Sequence, residues 1–234
     1  MFMLELYLRG IILSPEETLE RVEKLLRQCD IRCRLSNDLK SRLKECEEAR
    51  SILTNLDTLS SELERRRLAL LSQSYIQETF VLDALGTEEN NLERAREALS
   101  LAKDSMDSVQ IARAHLALGI QLLNRGELLD AESYWVRILL EAEDSPSDTR
   151  MQRVVGRTLI VRGHILNAKG LFAQAIEVLD DAVRTLEAVD DQIGAAEAYE
   201  LMSKVYHNLT DYESTDFCLK RANELKETIR LNLL

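Results

Sequence analysis

The side chains here that could do chemistry are three histidines, four cysteines and a few acidic pairs. A metal site needs three or four ligands that converge. His115, His164 and His207 stand in three separate segments. Cys29 and Cys33 are spaced by three residues rather than the two of a Cys-x-x-Cys pair, and no histidine follows them at ligand spacing. With Cys46 and Cys218 they read as reduced thiols. Glu88-Glu89 and Asp180-Asp181 could act as general acid and base only across a cleft. Their surroundings read instead as helix starts and solvated surface. The chain carries no His-Glu-x-x-His, no phosphate-binding Gly-x-x-x-x-Gly-Lys-[Ser/Thr], no Gly-x-Ser-x-Gly and no Gly-x-Gly-x-x-Gly. No catalytic residue, metal or cofactor is therefore expected. What recurs in register is an amide, at Asn124, Asn167 and Asn208. An amide both donates and accepts, so a row of them can satisfy the main chain of an extended peptide. Asparagine also tolerates helix C-terminal geometry, which is the alternative reason for its place.

These amides sit on a spaced pattern. Leu118-Gly119-x-x-Leu122 precedes Gly126-x-Leu128-x-x-Ala131-x-x-x-Trp135-x-x-Ile138. Gly163-x-x-Leu166 precedes Gly170-x-Phe172-x-x-Ala175-x-x-x-Leu179-x-x-Ala182. A weaker third copy has Leu201-Met202-Ser203-x-x-Tyr206, then Asp211-Tyr212, then Leu219-x-x-Ala222. Spacings of three and four put these residues on one helical face. Gly119 and Gly163 lack Cβ, so a neighbouring helix can approach closely, and Gly126 and Gly170 read as left-handed helix stops. Each unit is a helical hairpin that cannot bury its apolar face alone.

The residues of this pattern resemble the tetratricopeptide repeat (TPR), in a long-period variant of about 40–44 residues against the usual ~34. The likeness is strong over 112–188, fair over 196–226 and half-present over 76–104. There Leu92, Ala95, Leu99 and Ala102 fit, but Asp83 and Gly86 replace the small and aromatic residues of the first helix. The resemblance implies an all-α fold, a right-handed α-solenoid of antiparallel helical hairpins. It implies repeats at about 76–109, 112–145, 156–189 and 196–229, with residues 1–75 as N-terminal helices packed on the array.

Composition agrees with an all-helical chain. Of 234 residues, 45% are hydrophobic, while only 8 are Gly and 2 are Pro. The net charge of −11 repels phosphate backbones and anionic membranes. Nucleic acid and membrane are therefore not expected partners, and an intracellular, cytoplasmic setting is. Met1 to Leu13 is apolar but interrupted by Glu5 and Arg9, and is too short to span a bilayer. It reads as a first helix packed on the array, or as the edge of a larger one. Asn208-Leu209-Thr210 matches a glycosylation acceptor but has no secretory signal to support it.

Helix boundaries follow from local signals. Ser14-Pro15-Glu16-Glu17 is a capping box that starts a helix to about Gln28. Another begins near Asn37, and a third runs from about Asp57 to Leu85, its Glu62–Arg67 run read as a solvated face. Seven more helices are expected at about 91–105, 108–124, 127–144, 148–168, 171–188, 191–208 and 211–231. The last reads as a polar-faced cap.

In the resembling family the first helix of each hairpin lines the groove. Carried over residue by residue, this marks Arg113, Leu116, Ile120, Leu123 and Asn124, then Arg157, Ile160, His164 and Asn167, then Lys204, His207 and Asn208. The family's two-carboxylate clamp is not reproduced by Arg113, Arg157 and Lys204. The expected function is a non-enzymatic scaffold or adaptor that binds a protein or peptide segment in the groove. Arg113 and Arg157 would favour acidic residues in that segment, and a homo-oligomer is left open. The alternative is a regulatory sensor domain in which a small peptide or effector changes the conformation.

Overall fold

In the computed structural model, which describes residues 13–36, 38–57, 59–87, 90–144 and 146–232, the capping box forms as its residues dictate. The Glu17 amide donates to Ser14 Oγ at 3.0 Å, and the Ser14 amide donates to Glu17 Oε2 at 2.7 Å. From this box runs α1, Pro15–Ser36. The apolar stretch before Leu13, the side chains of Cys29 and Cys33, and the Glu88-Glu89 pair lie outside what is described.

Ten helices and no strand occur among the described residues. After α1 come α2 (Leu39–Thr54), α3 (Ser61–Ala84), α4 (Asn91–Ser105) and α5 (Ser108–Asn124). Then follow α6 (Leu128–Glu143), α7 (Thr149–Ala168), α8 (Phe172–Ala188), α9 (Gln192–Asn208) and α10 (Tyr212–Asn232). The chain divides into two compact units, Met1–Leu128 and Leu129–Leu234.

In the first unit each helix packs on the next, and α3 also meets α1 and α5. Its core joins Leu19, Val22 and Leu26 of α1 to Ala49 and Leu53 of α2 and to Leu70 and Leu71 of α3. α1 runs on to Ser36, beyond the Gln28 expected, because no Gly or Pro interrupts 29–36. Position 76, the expected start of the repeats, lies inside α3, which begins at Ser61 behind an N-cap from Ser60. The Glu62–Arg67 run is only partly solvated. Arg66 reaches Glu23 of α1 at 2.8 Å, and Arg67 bonds both Glu64 at 2.6 Å and the Leu53 carbonyl at 3.2 Å.

In the second unit α7 packs on α8, α8 on α9, α9 on α10, and α7 also meets α9. The core is built from Ala175, Leu179, Ala182, Val183 and Leu186 of α8, the apolar face of α9, and Cys218 of α10. Glycines allow the α7–α8 approach. A Cβ on Gly163 would lie 2.6 Å from Leu179 Cγ, and one on Gly156 would lie 2.5 Å from Leu186 Cγ. Gly119 is buried in α5 of the first unit.

One turn chemistry ends α5, α7, α8 and α9. At Gly126, Gly170, Asp190 and Thr210 the chain turns left-handed, with φ of 80°, 73°, 53° and 59°. The amide after each turn residue then reaches back to a helix carbonyl: Glu127 to Leu122, Leu171 to Leu166 and Asp191 to Leu186 at 2.9 Å, and Asp211 to Tyr206 at 3.0 Å. This bonding satisfies carbonyls that a helix end would otherwise leave orphaned.

Candidate partner-binding surface

In three hairpins the first helix is anchored at its N-terminus by an aspartate. Asp107 accepts from the Val109 amide at 2.9 Å in α5, and Asp148 from the Arg150 amide at 2.8 Å in α7. Asp191 accepts from the Gly194 amide at 3.0 Å in α9. These caps set the register in which the expected surface residues appear.

On α5, Arg113, Ile120 and Leu123 are half-buried, Asn124 is exposed, and Leu116 is only 6% exposed. Leu116 therefore serves the interior and has little surface to offer a partner. On α7, Ile160 packs against the core of the second unit. Arg157 is engaged internally: its Nε and Nη2 donate to Asp191 Oδ2 at 3.3 and 3.1 Å. Asp191 thus caps α9 with one oxygen and holds α7 with the other. Arg153 adds a bond to the Val189 carbonyl at 3.1 Å.

The remaining residues of α7 and α9 do come together. Asn208 Nδ2 donates to Asn167 Oδ1 at 3.0 Å, joining two of the three recurring amides across neighbouring hairpins. His164, Lys204 and His207 are exposed on the same two helices. The His207 ring stands edge-on to Tyr212, with centroids 5.9 Å apart and planes at 67°. Asn124 belongs to the first unit, so the amide pair is a property of the second unit alone. Glu200, also on α9, is taken up by Lys226 of α10 at 2.5 Å. Sequence spacing marked where these side chains lie but not which would be spent on one another. That is decided by the α8–α9 turn, which carries Asp191 to Arg157.

Charge segregates by helix. α7 carries Arg150, Arg153, Arg157 and Arg162 and no acidic residue. Its hairpin partner α8 carries Glu177, Asp180, Asp181 and Glu187 against the single Arg184. α9 is mixed, with Glu197 and Glu200 against Lys204, so the excess of arginine belongs to α7 alone.

Among the described residues no three His, Cys, Asp or Glu converge as a metal site. Cys46 and Cys218 are buried and free of disulfides. Burial, helped by the nearby Asp211 charge, pushes the Cys218 thiol up and so favours its protonated form. No described helix is long and apolar enough to cross a membrane.

No protein-family model matches the chain, and no curated protein matches it. Solved structures do. A Rap protein complexed with competence and sporulation factor is 17% identical, with a TM-score of 0.59 over 94% of this chain and 67% of that one. The apo form of RapI is 12% identical, at 0.53 over 89% and 71%. BtubC from P. vanneervenii is 12% identical, at 0.52 over 94% and 93%. At these identities the likeness is one of fold. With α7 and α8 brought close at glycines and a left-handed turn repeated between helices, the chain has a TPR-like helical-repeat fold.

Proposed function

We propose that this chain is a non-enzymatic protein-interaction scaffold, and that its second unit takes an extended partner segment across α7 and α9. One observation carries the reading: the Asn208–Asn167 bond, set between exposed His164, Lys204 and His207. In that pair each amide spends one group and keeps another. Asn167 keeps its Nδ2 hydrogens and Asn208 keeps Oδ1, one donor and one acceptor side by side. A peptide main chain presents the complementary acceptor and donor at each residue. The arginines of α7, with Lys204, favour acidic side chains in the segment. Arg157 adds little to this, since its charge is already matched by Asp191. Arg113, Ile120, Leu123 and Asn124 of α5 would form a separate surface of the first unit. A cytoplasmic setting suits a chain with these thiols.

The test is capture of a partner from native lysate, identified by mass spectrometry, with wild type and with His164→Glu/Lys204→Glu. Both positions are exposed, so circular dichroism is expected to stay unchanged while capture is lost. Equal capture by the double variant would place the partner elsewhere. The alternative reading is a regulatory sensor domain. The Rap protein compared above was solved with competence and sporulation factor bound. A sensor would change its small-angle scattering profile on binding a short peptide, and a scaffold would not.

A further inference from the structure

The repeat provides its own control for what the outer helix of each hairpin needs. By sequence spacing Ala131, Trp135 and Ile138 of α6 correspond to Ala175, Leu179 and Ala182 in α8, and to Thr215, Leu219 and Ala222 in α10, where Leu219 is 43% exposed and Cys218 takes the buried place. With that register fixed, the outward positions can be compared. α8 shows solvent Ala173, Asp180 and Arg184, all exposed, with Asp180 and Arg184 paired at 3.3 Å. α10 shows Glu213, Lys220 and Glu224, also exposed. At the same three positions α6 carries Leu129, Val136 and Leu140, which are 82%, 55% and 57% exposed. Where α6 places Val136 and Leu140 both other hairpins carry charge, and where it places Leu129 they carry alanine and glutamate. The fold does not ask for them.

Their spacing of seven and four residues lines them up on one helical face over about 16 Å. Leu139, at 36% exposure, widens the stripe. The rim is acidic: Asp130, Glu132, Glu143 and Asp144 are exposed around it. One exposed arginine, Arg137, lies over the Tyr134 ring at 5.7 Å. An aliphatic seam with charged flanks is what one helix of a two-helix contact presents. The charge selects the occupant. A second copy would set acidic rim against acidic rim, on chains of net charge −11 each, and an anionic membrane would be repelled in the same way. A helix with an aliphatic seam and lysine or arginine flanks meets both features.

We propose that the outward face of α6 docks a basic amphipathic helix of a partner protein, as a second interaction surface independent of α7–α9.

The probe is a fluorescein-labelled amphipathic peptide about five turns long, with leucine at heptad a and d positions and lysine on the flanks. A twin carries glutamate for lysine. Binding is read by fluorescence anisotropy. Wild type is expected to bind the lysine peptide and not its twin. Val136→Asp/Leu140→Arg, which gives α6 the residues α8 uses at those positions, is expected to weaken binding at least about tenfold. Leu129→Ala, matching Ala173 of α8, should weaken it without any change of charge. Emission from Trp135, the only tryptophan and a residue of the buried face of α6, reports that each variant stays folded. The proposal is overturned if wild type binds neither peptide, if the glutamate twin binds equally, or if the variants bind like wild type. It is also overturned if wild type sediments as a dimer that Val136→Asp/Leu140→Arg converts to monomer, because the occupant is then a second copy.

Discussion

At the scale of single residues the fold depends on two opposite uses of glycine. In α7 glycine is chosen for what it lacks. A methyl on Gly163 would press into Leu179, which is fully buried. Gly163→Ala should gain about 0.5–1 kcal/mol of helix propensity and lose about 1–3 kcal/mol to overpacking, so overpacking wins. The sign should reverse in a Leu179→Ala background, where the added methyl fills part of the cavity. Urea melts of the two singles and the double give the coupling, and strict additivity would remove the proposed contact. At the left-handed turns glycine is chosen for φ, and the third repeat departs from the rule. Thr210 holds φ of 59° where its counterparts Gly126 and Gly170 hold 80° and 73°. A β-branched residue is strained there. Thr210→Gly should stabilise by about 0.5–1 kcal/mol, the strain relieved less the added chain entropy, measured as a rise in urea midpoint.

At the scale of elements, Asp191 shows what the sequence could and could not say. That a helix begins at Asp190-Asp191 was legible, since aspartate is a strong N-cap before an apolar-periodic run. So were the bounds of α4 and α5, which match the expected 91–105 and 108–124, because Asp107-Ser108 and Gly126 bracket α5. The second task of Asp191 was not legible. Arg157 and Asp191 stand on different helices, and only the packing of α7 against α9 brings them to 3.1 Å. The same reason hid the fate of Arg66, which was read as solvated and is tied to Glu23 of α1. It also hid the burial of Leu116, which depends on a neighbouring helix rather than on its own. The two tasks of Asp191 can be separated. Asparagine keeps the cap and removes the charge that faces Arg157, while alanine removes both. Asp191→Ala should therefore cost about 1 kcal/mol more than Asp191→Asn, the value of the cap. Equal losses would mean that the ion pair, not the cap, holds α9.

At the scale of the whole chain, acidic groups at helix ends and in local pairs tie stability to pH. The Ser14 amide and hydroxyl hold Glu17 below its ordinary 4.5. Arg67 does the same for Glu64, and the Ser214 hydroxyl and amide hold Asp211 below its ordinary 3.8. For Asp148, burial pulls upward, but the bonds from Arg150 and the Met151 amide outweigh it and the carboxyl sits low. A carboxyl whose folded pKa is depressed binds fewer protons folded than unfolded at acid pH. Its stabilisation is complete above the ordinary value and is lost as pH falls through the lower, folded one. Glu141 on α6 is opposed to this set. Burial raises its pKa despite the nearby Arg137, so its ionised form works against the fold and is relieved on acidification. We expect Tm to be nearly flat from about pH 8 to pH 5 and to fall below about pH 4.5 as the depressed carboxylates protonate. Glu17→Gln/Asp211→Asn should lower Tm at neutral pH and make the acid fall shallower, because two of the groups that produce it are gone. Glu141→Gln should raise Tm at pH 7 and leave it unchanged at pH 4, where the native side chain is already largely neutral. A steeper acid fall in the cap variant, or a Glu141→Gln gain that persists at pH 4, would show that acid stability is set by the general charge of −11 and not by these named carboxyls.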